Sequence, residues 1–452
     1  SAGLQVSTGE NNIFIGKQSG GQNSGAPTTG TDNIALGRDS GTCLTSGASN
    51  MFMGRYSGKQ VQDGNYNIAF GHKAACAAAA IGNYNVIFGF CSGKELAGTS
   101  NIIIGKCSGN SATSGSRNIL LGELAASGAA VTGNNNIAIG CKSGRLLTSG
   151  ASNVFVGTYS GASGSAVTGS YNLAMGENAA KNITSGSENV ILGYESGKQI
   201  QAGSNNTFLG ARAGRCASGA TSNVVAGGNA AHYLTGDSNV ILGSTSGHCM
   251  TSGGCNVLLG KTTGKCITTG SDNIISGTNA GLIGTAQSNN VILGNSAGYT
   301  NNAADNIFIG RASGYSNSSG CYNVFFGRCA GYDSSDGMRN VFLGCQAGFN
   351  ATSADDSIFI GSCAGGGGTV TGSQNIALGS SAGKELTSGG NNVFLGKYAG
   401  KSFTSSSSNI AIGCKSASEA TGGTHGIFLG SYNVRNLSAG EDNIVMGRSA
   451  GD

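Results

Sequence analysis

The chain has 452 residues, of which 82 are glycine and only one, Pro27, is proline. This imbalance excludes a collagen triple helix, which combines glycine at every third position with abundant proline. Charged residues make up 10% of the chain and hydrophobic residues 38%, a mixture too apolar for solvated disorder. The net charge of +4 is too small to indicate nucleic-acid binding, and no apolar run approaches the roughly 20 residues of a membrane helix.

A short motif, Asn-x-x-x-Gly, recurs along the whole chain in 26 copies, from Asn12 to Asn443, with Ser357 and Gly426 in place of the Asn in two of them. Of the 25 intervals between successive copies, 17 are 17 residues long. If the Asn is called phase 1, phases 2 to 4 are almost always apolar and phase 5 is Gly in every copy. We therefore predict one continuous repeat array over residues 1–452 and no division into separate domains.

The residues between the Asn and the Gly predict a short strand, because phase 2 is rich in β-branched residues and the segment is too short for a helix. Glycines at phases 5, 9 and about 15 allow the chain to bend at fixed corners. Stacked copies would pair each strand with the equivalent strands above and below it. The predicted fold is all-β, a parallel β-solenoid (β-roll or β-helix) of about 26 coils of about 17 residues.

Two structural roles fit the recurring Asn. Its side-chain amides could hydrogen-bond along the stack as a ladder. Alternatively, the Asn could be a turn former with a left-handed backbone conformation. The sequence leaves both open.

Phase 3 is apolar in all 26 copies. In a strand, phases 2 and 4 face one side and phase 3 faces the other. We interpret phase 3 as an outward face through which copies of the chain associate laterally; the alternative places the strand inside a wider single-chain coil. The predicted self-association face includes the aromatic residues Phe14, Phe155, Phe208, Phe308, Phe325, Phe342, Phe359 and Phe394.

Phase 10 carries cations in six consecutive copies and aromatic residues in four later ones. Like charges at this spacing repel unless an anion lies across them, and aromatic rings could stack on sugars. The sequence therefore predicts an anionic-glycan ladder; the alternative is a solvated edge beside a self-packing aromatic ladder. The cationic residues are Lys181, Lys198, Arg215, His232, His248 and Lys265, and the aromatic residues are Tyr299, Tyr315, Tyr332 and Phe349.

Two pairs of cysteines occupy equivalent phases of adjacent copies: Cys91 with Cys107, and Cys249 with Cys266. Equivalent Cα atoms one coil apart would be about 4.8 Å from each other, which a disulfide can span. Each pair is a candidate disulfide; the alternative is that cysteine serves as a small packing residue.

No nucleophile and base constellation, metal-ligand set or phosphate-binding loop is recognisable in the sequence, so we predict neither an enzyme nor a cofactor. Thr and Ser recur before the phase-15 glycine, as at Thr45 and Thr251. A regular outward array of Thr would suggest ice binding, whereas turn hydrogen bonding explains an interrupted, mixed array more simply.

The copies Asn136-Ile137-Ala138-Ile139-Gly140 and Asn409-Ile410-Ala411-Ile412-Gly413 resemble the head repeats of trimeric autotransporter adhesins. They are also similar to the Asn-x-x-x-Gly repeats of bacterial surface proteins and phage tail fibres. The resemblance implies a parallel β-roll that associates laterally, as a trimer in the adhesins, and projects from a cell or virion surface.

From the repeat and this resemblance together we expect a structural extracellular fibre or filament subunit, a self-assembling rod without catalysis. The alternative is an adhesin or phage-fibre shaft that binds anionic glycans, and a third candidate is an ice-binding solenoid. Because Ser1 and Asp452 fall at nearly the same corner of the repeat, we also expect head-to-tail association; the alternative is that this chain is part of a longer array.

Overall fold

The computed structural model describes residues 2–3, 6–21, 27–78, 80–162, 164–434 and 437–451. Ser1 and Asp452, on which the head-to-tail prediction rests, lie outside the described residues. The chain forms two compact units, Ser1–Ala226 and Gly227–Asp452, which are described separately. Over the described ranges the regular secondary structure is all strand, with no helix.

In its described part the first unit has thirteen three-residue strands. They are β1 (Ile13–Ile15), β2 (Ile34–Leu36), β3 (Met51–Met53), β4 (Ile68–Phe70), β5 (Val86–Phe88), β6 (Ile102–Ile104), β7 (Ile119–Leu121), β8 (Ile137–Ile139), β9 (Val154–Val156), β10 (Leu173–Met175), β11 (Val190–Leu192), β12 (Thr207–Leu209) and β13 (Val224–Ala226).

The described part of the second unit has thirteen more. They are β14 (Val240–Leu242), β15 (Val257–Leu259), β16 (Ile274–Ser276), β17 (Val291–Leu293), β18 (Ile307–Ile309), β19 (Val324–Phe326), β20 (Val341–Leu343), β21 (Ile358–Ile360), β22 (Ile376–Leu378), β23 (Val393–Leu395), β24 (Ile410–Ile412), β25 (Ile427–Leu429) and β26 (Ile444–Met446).

Within each unit, every strand pairs in parallel with the next one at the same phase, as Ala35 of β2 does with Phe52 of β3. The hydrogen bonding continues around the coil beyond the strands. Thr45 N–H, for example, donates to the Gln62 carbonyl one coil further on, at 2.9 Å. The predicted parallel β-solenoid with coils of about 17 residues is confirmed.

Each coil turns at four positions with positive φ: phases 5, 7 and 9, and the residue before the Asn. At phase 5 the φ is near +130°, as in Gly37, and a Cβ there would lie 2.8 Å from the backbone of Gly54 in the next coil. Glycine is therefore required at phase 5 both for its conformation and for the close approach of the neighbouring coil. The other corners also accept non-glycine residues, such as Tyr56 and Tyr66.

The recurring Asn forms the predicted amide ladder. Asn136 Nδ2 donates to Asn118 Oδ1 at 3.1 Å and to the Gly150 carbonyl of its own coil at 2.9 Å. Asn136 Oδ1 accepts from the backbone N–H and the side-chain amide of Asn153. The left-handed conformation belongs to the preceding residue, here Asn135, so the turn-former interpretation is wrong for the Asn itself.

The phase-3 side chains point into the coil, where the return segment covers them. Phe52, for example, is fully buried, and a Cβ added to Gly58 on the return segment would lie 2.6 Å from its ring. The prediction that phase 3 is an outer self-association face is therefore wrong, and the alternative of a strand inside a wider single-chain coil is correct. The residues corrected are Phe14, which is partly exposed in the first coil, and the fully buried Phe155, Phe208, Phe308, Phe325, Phe342, Phe359 and Phe394.

Side-chain size is matched across this thin core. Four successive aromatic rings at phase 3 of β18 to β21 stack with centroids 4.7–5.0 Å apart. Where phase 9 is alanine, phase 3 can be small as well, as in the pairs Ala75 with Ala69 and Ala180 with Ala174. In these coils the sizes of the phase-3 and phase-9 side chains compensate for each other.

Candidate functional site: the outer strand face and the charged corners

The phase-2 and phase-4 side chains point away from the core, because phase 3 points into it. None of them is buried in any of the described strands, and several are widely exposed, including Phe70 at 50% and Phe326 at 54%. Only Thr207 and Ser276 at these phases are polar, and none is charged. Each unit therefore presents two adjacent apolar ladders, which we call the outer strand face: phases 2 and 4 of β1–β13 in the first unit and of β14–β26 in the second.

The cationic residues predicted at phase 10 of the first unit already have partners. Lys198 Nζ lies 2.7 Å and Arg215 Nε 3.0 Å from the carboxylate of Glu195, which Arg212 also contacts at 3.2 Å. The Lys181 ammonium lies 5.1 Å from the ring centroid of Tyr159. In this unit, two cations of the predicted glycan ladder, Lys198 and Arg215, therefore already have a counterion, the carboxylate of Glu195.

Glu195 itself is nearly buried, with 8% of its side chain exposed. The hydrogen bond from Lys198 is the largest cause that lowers its pKa, and the contacts with Arg212 and Arg215 act in the same direction, to about 2. Because the folded pKa is depressed, the ionised carboxylate stabilises the fold above its unfolded pKa, and this contribution is lost as the pH falls towards 2.

We expect Glu195→Gln to lower the free energy of unfolding at pH 7 by roughly 1–3 kcal/mol, because hydrogen bonds to charged groups contribute about that much. The difference from wild type should shrink between about pH 5 and pH 2, where the wild-type carboxylate takes up its proton. Urea denaturation at several pH values measures both effects. Glu188→Gln, at an exposed position, is the matched control and should have little effect; an equal loss in both variants would contradict the prediction.

In the second unit, the predicted cations include two histidines whose rings stack on each other. The ring centroids of His232 and His248 are 5.2 Å apart, and Tyr233 packs against both. Burial lowers the pKa of His248, and the nearby Lys265 lowers it further. The His248 ring is therefore expected to be largely uncharged at neutral pH.

The predicted aromatic ladder is formed, and its rings cover one another. Tyr299, Tyr315, Tyr332 and Phe349 stack with centroids 4.8–4.9 Å apart and interplanar angles of 10° or less. Because the ring faces between successive members are occupied, a sugar could stack only on the two ends of this ladder. The geometry favours the self-packing interpretation.

Both predicted cysteine pairs lie side by side as free thiols. Burial raises the pKa of Cys91 and of Cys249, and the hydrogen-bonded partner thiols, Cys107 and Cys266, raise them further. The thiols of Cys91 and Cys249 are therefore largely protonated at neutral pH, which slows their reaction as nucleophiles. Oxidation of either pair to a disulfide stays a prediction.

The threonines before the phase-15 glycine use their hydroxyl groups within the fold. Thr45 Oγ1 donates to the Gln62 carbonyl at 3.0 Å, and Thr251 Oγ1 donates to the Thr268 carbonyl at 3.1 Å. These bonds join neighbouring coils, which supports the structural explanation of the Thr and Ser pattern over ice binding.

Among the residues that the structure describes, no group of three or more His, Cys, Asp or Glu residues is placed to hold a metal ion. The same described ranges contain no helix of the length and hydrophobicity needed to span a membrane. No family model matches this chain, and no curated protein is significantly similar to it. The resemblance to autotransporter head repeats stays a prediction from the motif.

Proposed function

We propose that this chain is a structural subunit of an extracellular fibre or filament and assembles laterally with copies of itself through the outer strand face. The observation that carries the proposal is the continuous, uncharged, apolar surface formed by phases 2 and 4. The solenoid supplies a repeating framework, and the outer strand face supplies the adhesive surface.

The size of the outer strand face supports association. A fully exposed aliphatic side chain presents roughly 60–120 Å² of apolar surface, so 25 of them exposed by about a third present on the order of 800 Å² in each unit. Monomeric proteins rarely expose patches larger than about 300–600 Å². A stable interface buries about 800 Å² per partner, so one unit alone carries enough area.

A second copy is the partner that fits this surface best. Both copies have the same strand spacing of about 4.8 Å, so their side chains can interdigitate along many coils. Sheets packed face to face in proteins bury such ladders in the same way. Each molecule has a net charge of +4, but phases 2 and 4 carry no charge. Two copies that pack through this face therefore do not bring like-charged side chains together.

Substitutions in both units at once test the proposal: Phe70→Asp with Ile104→Asp in the first unit, and Phe326→Asp with Ile360→Asp in the second. All four residues are exposed on the outer strand face, and the two of each unit lie two coils apart. We expect wild type to be oligomeric and the variant to have the mass of one chain in sedimentation equilibrium, with its β-sheet circular dichroism retained. Burying two carboxylates in an apolar interface costs several kcal/mol, more than enough for dissociation at micromolar concentration.

The matched control is Tyr84→Asp with Phe90→Asp in the first unit and Ile283→Asp with Tyr322→Asp in the second, four exposed residues that lie off the strands. This variant should remain oligomeric. A monomeric wild type, or equal dissociation of both variants, would reject the outer strand face as the interface.

A further inference from the structure

A positively charged groove of about 360 Å³ runs across three consecutive coils of the first unit, those that contain β3, β4 and β5. One lysine from each coil contributes to it. The residues that line the groove are Tyr56, Lys59, Gln60, Lys73, Cys76, Ala77 and Lys94.

No carboxylate is among these lining residues. In the described part of the chain, neither Lys59 nor Lys73 lies within ion-pair distance of an acidic side chain, and Lys94 has one long contact of 3.7 Å with Glu95. All three lysines are half-buried. Ammonium groups held together in a partly desolvated groove repel one another, and a bound anion would relieve that repulsion.

Tyr56 holds one of these lysines, Lys59, and one further cation, Arg55, at the end of the groove. The Lys59 ammonium lies 4.9 Å from the centroid of the Tyr56 ring, and the Arg55 guanidinium lies 4.7 Å from it. The guanidinium also donates a hydrogen bond to the Tyr56 hydroxyl at 3.0 Å. These contacts restrict the side chains before any ligand arrives, which lowers the entropic cost of binding.

We propose that this groove binds a short linear oligoanion that carries at least two sulfate or phosphate groups. The spacing of the coils sets the match, because Lys59 and Lys94 are two coils apart, about 10 Å along the stack, with Lys73 between them. Sulfated oligosaccharides and linear polyphosphates both repeat their charges within this distance. The site is independent of the outer strand face and adds a ligand to a structural subunit.

The second unit provides a natural contrast. A groove of about 300 Å³ is lined by Tyr398, Lys401, Lys415, Ser418 and Glu419. Its tyrosine and two lysines occupy the same phases as Tyr56, Lys59 and Lys73. Glu419 supplies a negative charge that the first groove lacks, so we expect the second groove to bind an oligoanion more weakly.

Calorimetric titration of the full chain with two probes, inorganic tripolyphosphate and a heparin-derived tetrasaccharide, tests the proposal. The variant Lys59→Gln, Lys73→Gln, Lys94→Gln removes three charges from the first groove. The control variant Lys397→Gln, Lys401→Gln, Lys415→Gln removes three charges around the second. We expect the groove variant to lose about tenfold or more in affinity and the control to lose less than threefold, since each exposed ion pair contributes modestly.

Circular dichroism and thermal unfolding establish that both variants are folded before the comparison is made. If only tripolyphosphate binds in a lysine-dependent way, the ligand is a phosphate. If only the tetrasaccharide does, the ligand is a sulfated sugar. Lysine-dependent binding of both probes supports a site that selects for the spacing of charges. The proposal is overturned if neither probe binds. It is also overturned if the two variants lose the same affinity, because that result would show only an effect of net charge. The oligomeric state measured in the same samples tests the structural function separately.

Discussion

Replacing Phe342 with aspartate is expected to abolish the native packing of the second unit around β19 to β21. The Phe342 ring is fully buried between the rings of Phe325 and Phe359, with centroids 4.7 and 4.9 Å away. Truncation of a buried Phe costs about 3–5 kcal/mol, and burial of an unpaired carboxylate adds several more. The sum is comparable to the whole stability of a typical domain, about 5–15 kcal/mol.

Hydrogen exchange measured by mass spectrometry should show loss of amide protection in these coils, together with a lower urea midpoint. Tyr322→Asp is the matched control, because this exposed residue of a neighbouring coil lies outside both the core and the outer strand face. It should leave amide protection within the coil near the wild-type level and reduce the free energy of unfolding by about 1 kcal/mol. A Phe342→Asp variant that remained folded with full protection would contradict the inward orientation of phase 3.

Asn136→Ala is expected to lower the free energy of unfolding by roughly 3–6 kcal/mol. The substitution removes the four side-chain hydrogen bonds of a fully buried rung of the amide ladder. It leaves the Gly150 carbonyl and the backbone N–H of Asn153 without these partners, and each buried unsatisfied group costs about 1–3 kcal/mol.

A serine at the same position should cost less than alanine. Ser357 occupies the Asn phase naturally, and its hydroxyl accepts a hydrogen bond from the backbone N–H of Asn375 at 3.2 Å. We therefore expect Asn136→Ser to retain part of the stability that Asn136→Ala loses, as measured by urea denaturation. Equal stability of wild type and Asn136→Ala would show that the ladder contributes little.

The strands and their parallel register could be predicted from the sequence because the repeat is nearly invariant. Phase 5 is always Gly, and in the structure these glycines have positive φ and, in most coils of each unit, lie against the backbone of the next coil. A motif that recurs at this spacing allows few folds other than stacked coils.

Alternation alone could not predict which face of each strand points into the core, because apolar residues occupy both faces. Which face is buried depends on what covers it, and the path of the return segment determines that. A signal was nevertheless present in the sequence: phase 9 is Gly in every copy with Phe at phase 3 except that of Phe428, as in Phe52 with Gly58, whereas Ala at phase 9 occurs only beside smaller phase-3 residues, as in Ala69 with Ala75. Such paired variation in size is typical of a packed core.

The counterion of the phase-10 cations could not be predicted from the sequence, for a related reason. Glu195 lies at phase 7, three residues from Lys198 in the chain, but its contacts with Arg212 and Arg215 cross to the next coil. A one-dimensional alignment of phase 10 shows the cations alone. The geometry of the corner, with positive φ at phase 7, brings the carboxylate among them.

The amide ladder also affects how such a chain can change in length. Each Asn hydrogen-bonds to the equivalent residue of the neighbouring coil and closes its own coil on a carbonyl 14 residues later, as Asn50 does with Asn33 and Gly64. The pair matched in size, Phe52 with Gly58, also lies within one coil. A recombination event that duplicates or deletes one period therefore adds or removes one complete coil, together with the hydrogen bond that closes it and the residues that fill its core. The number of coils can vary between related chains while every remaining coil keeps the same local structure.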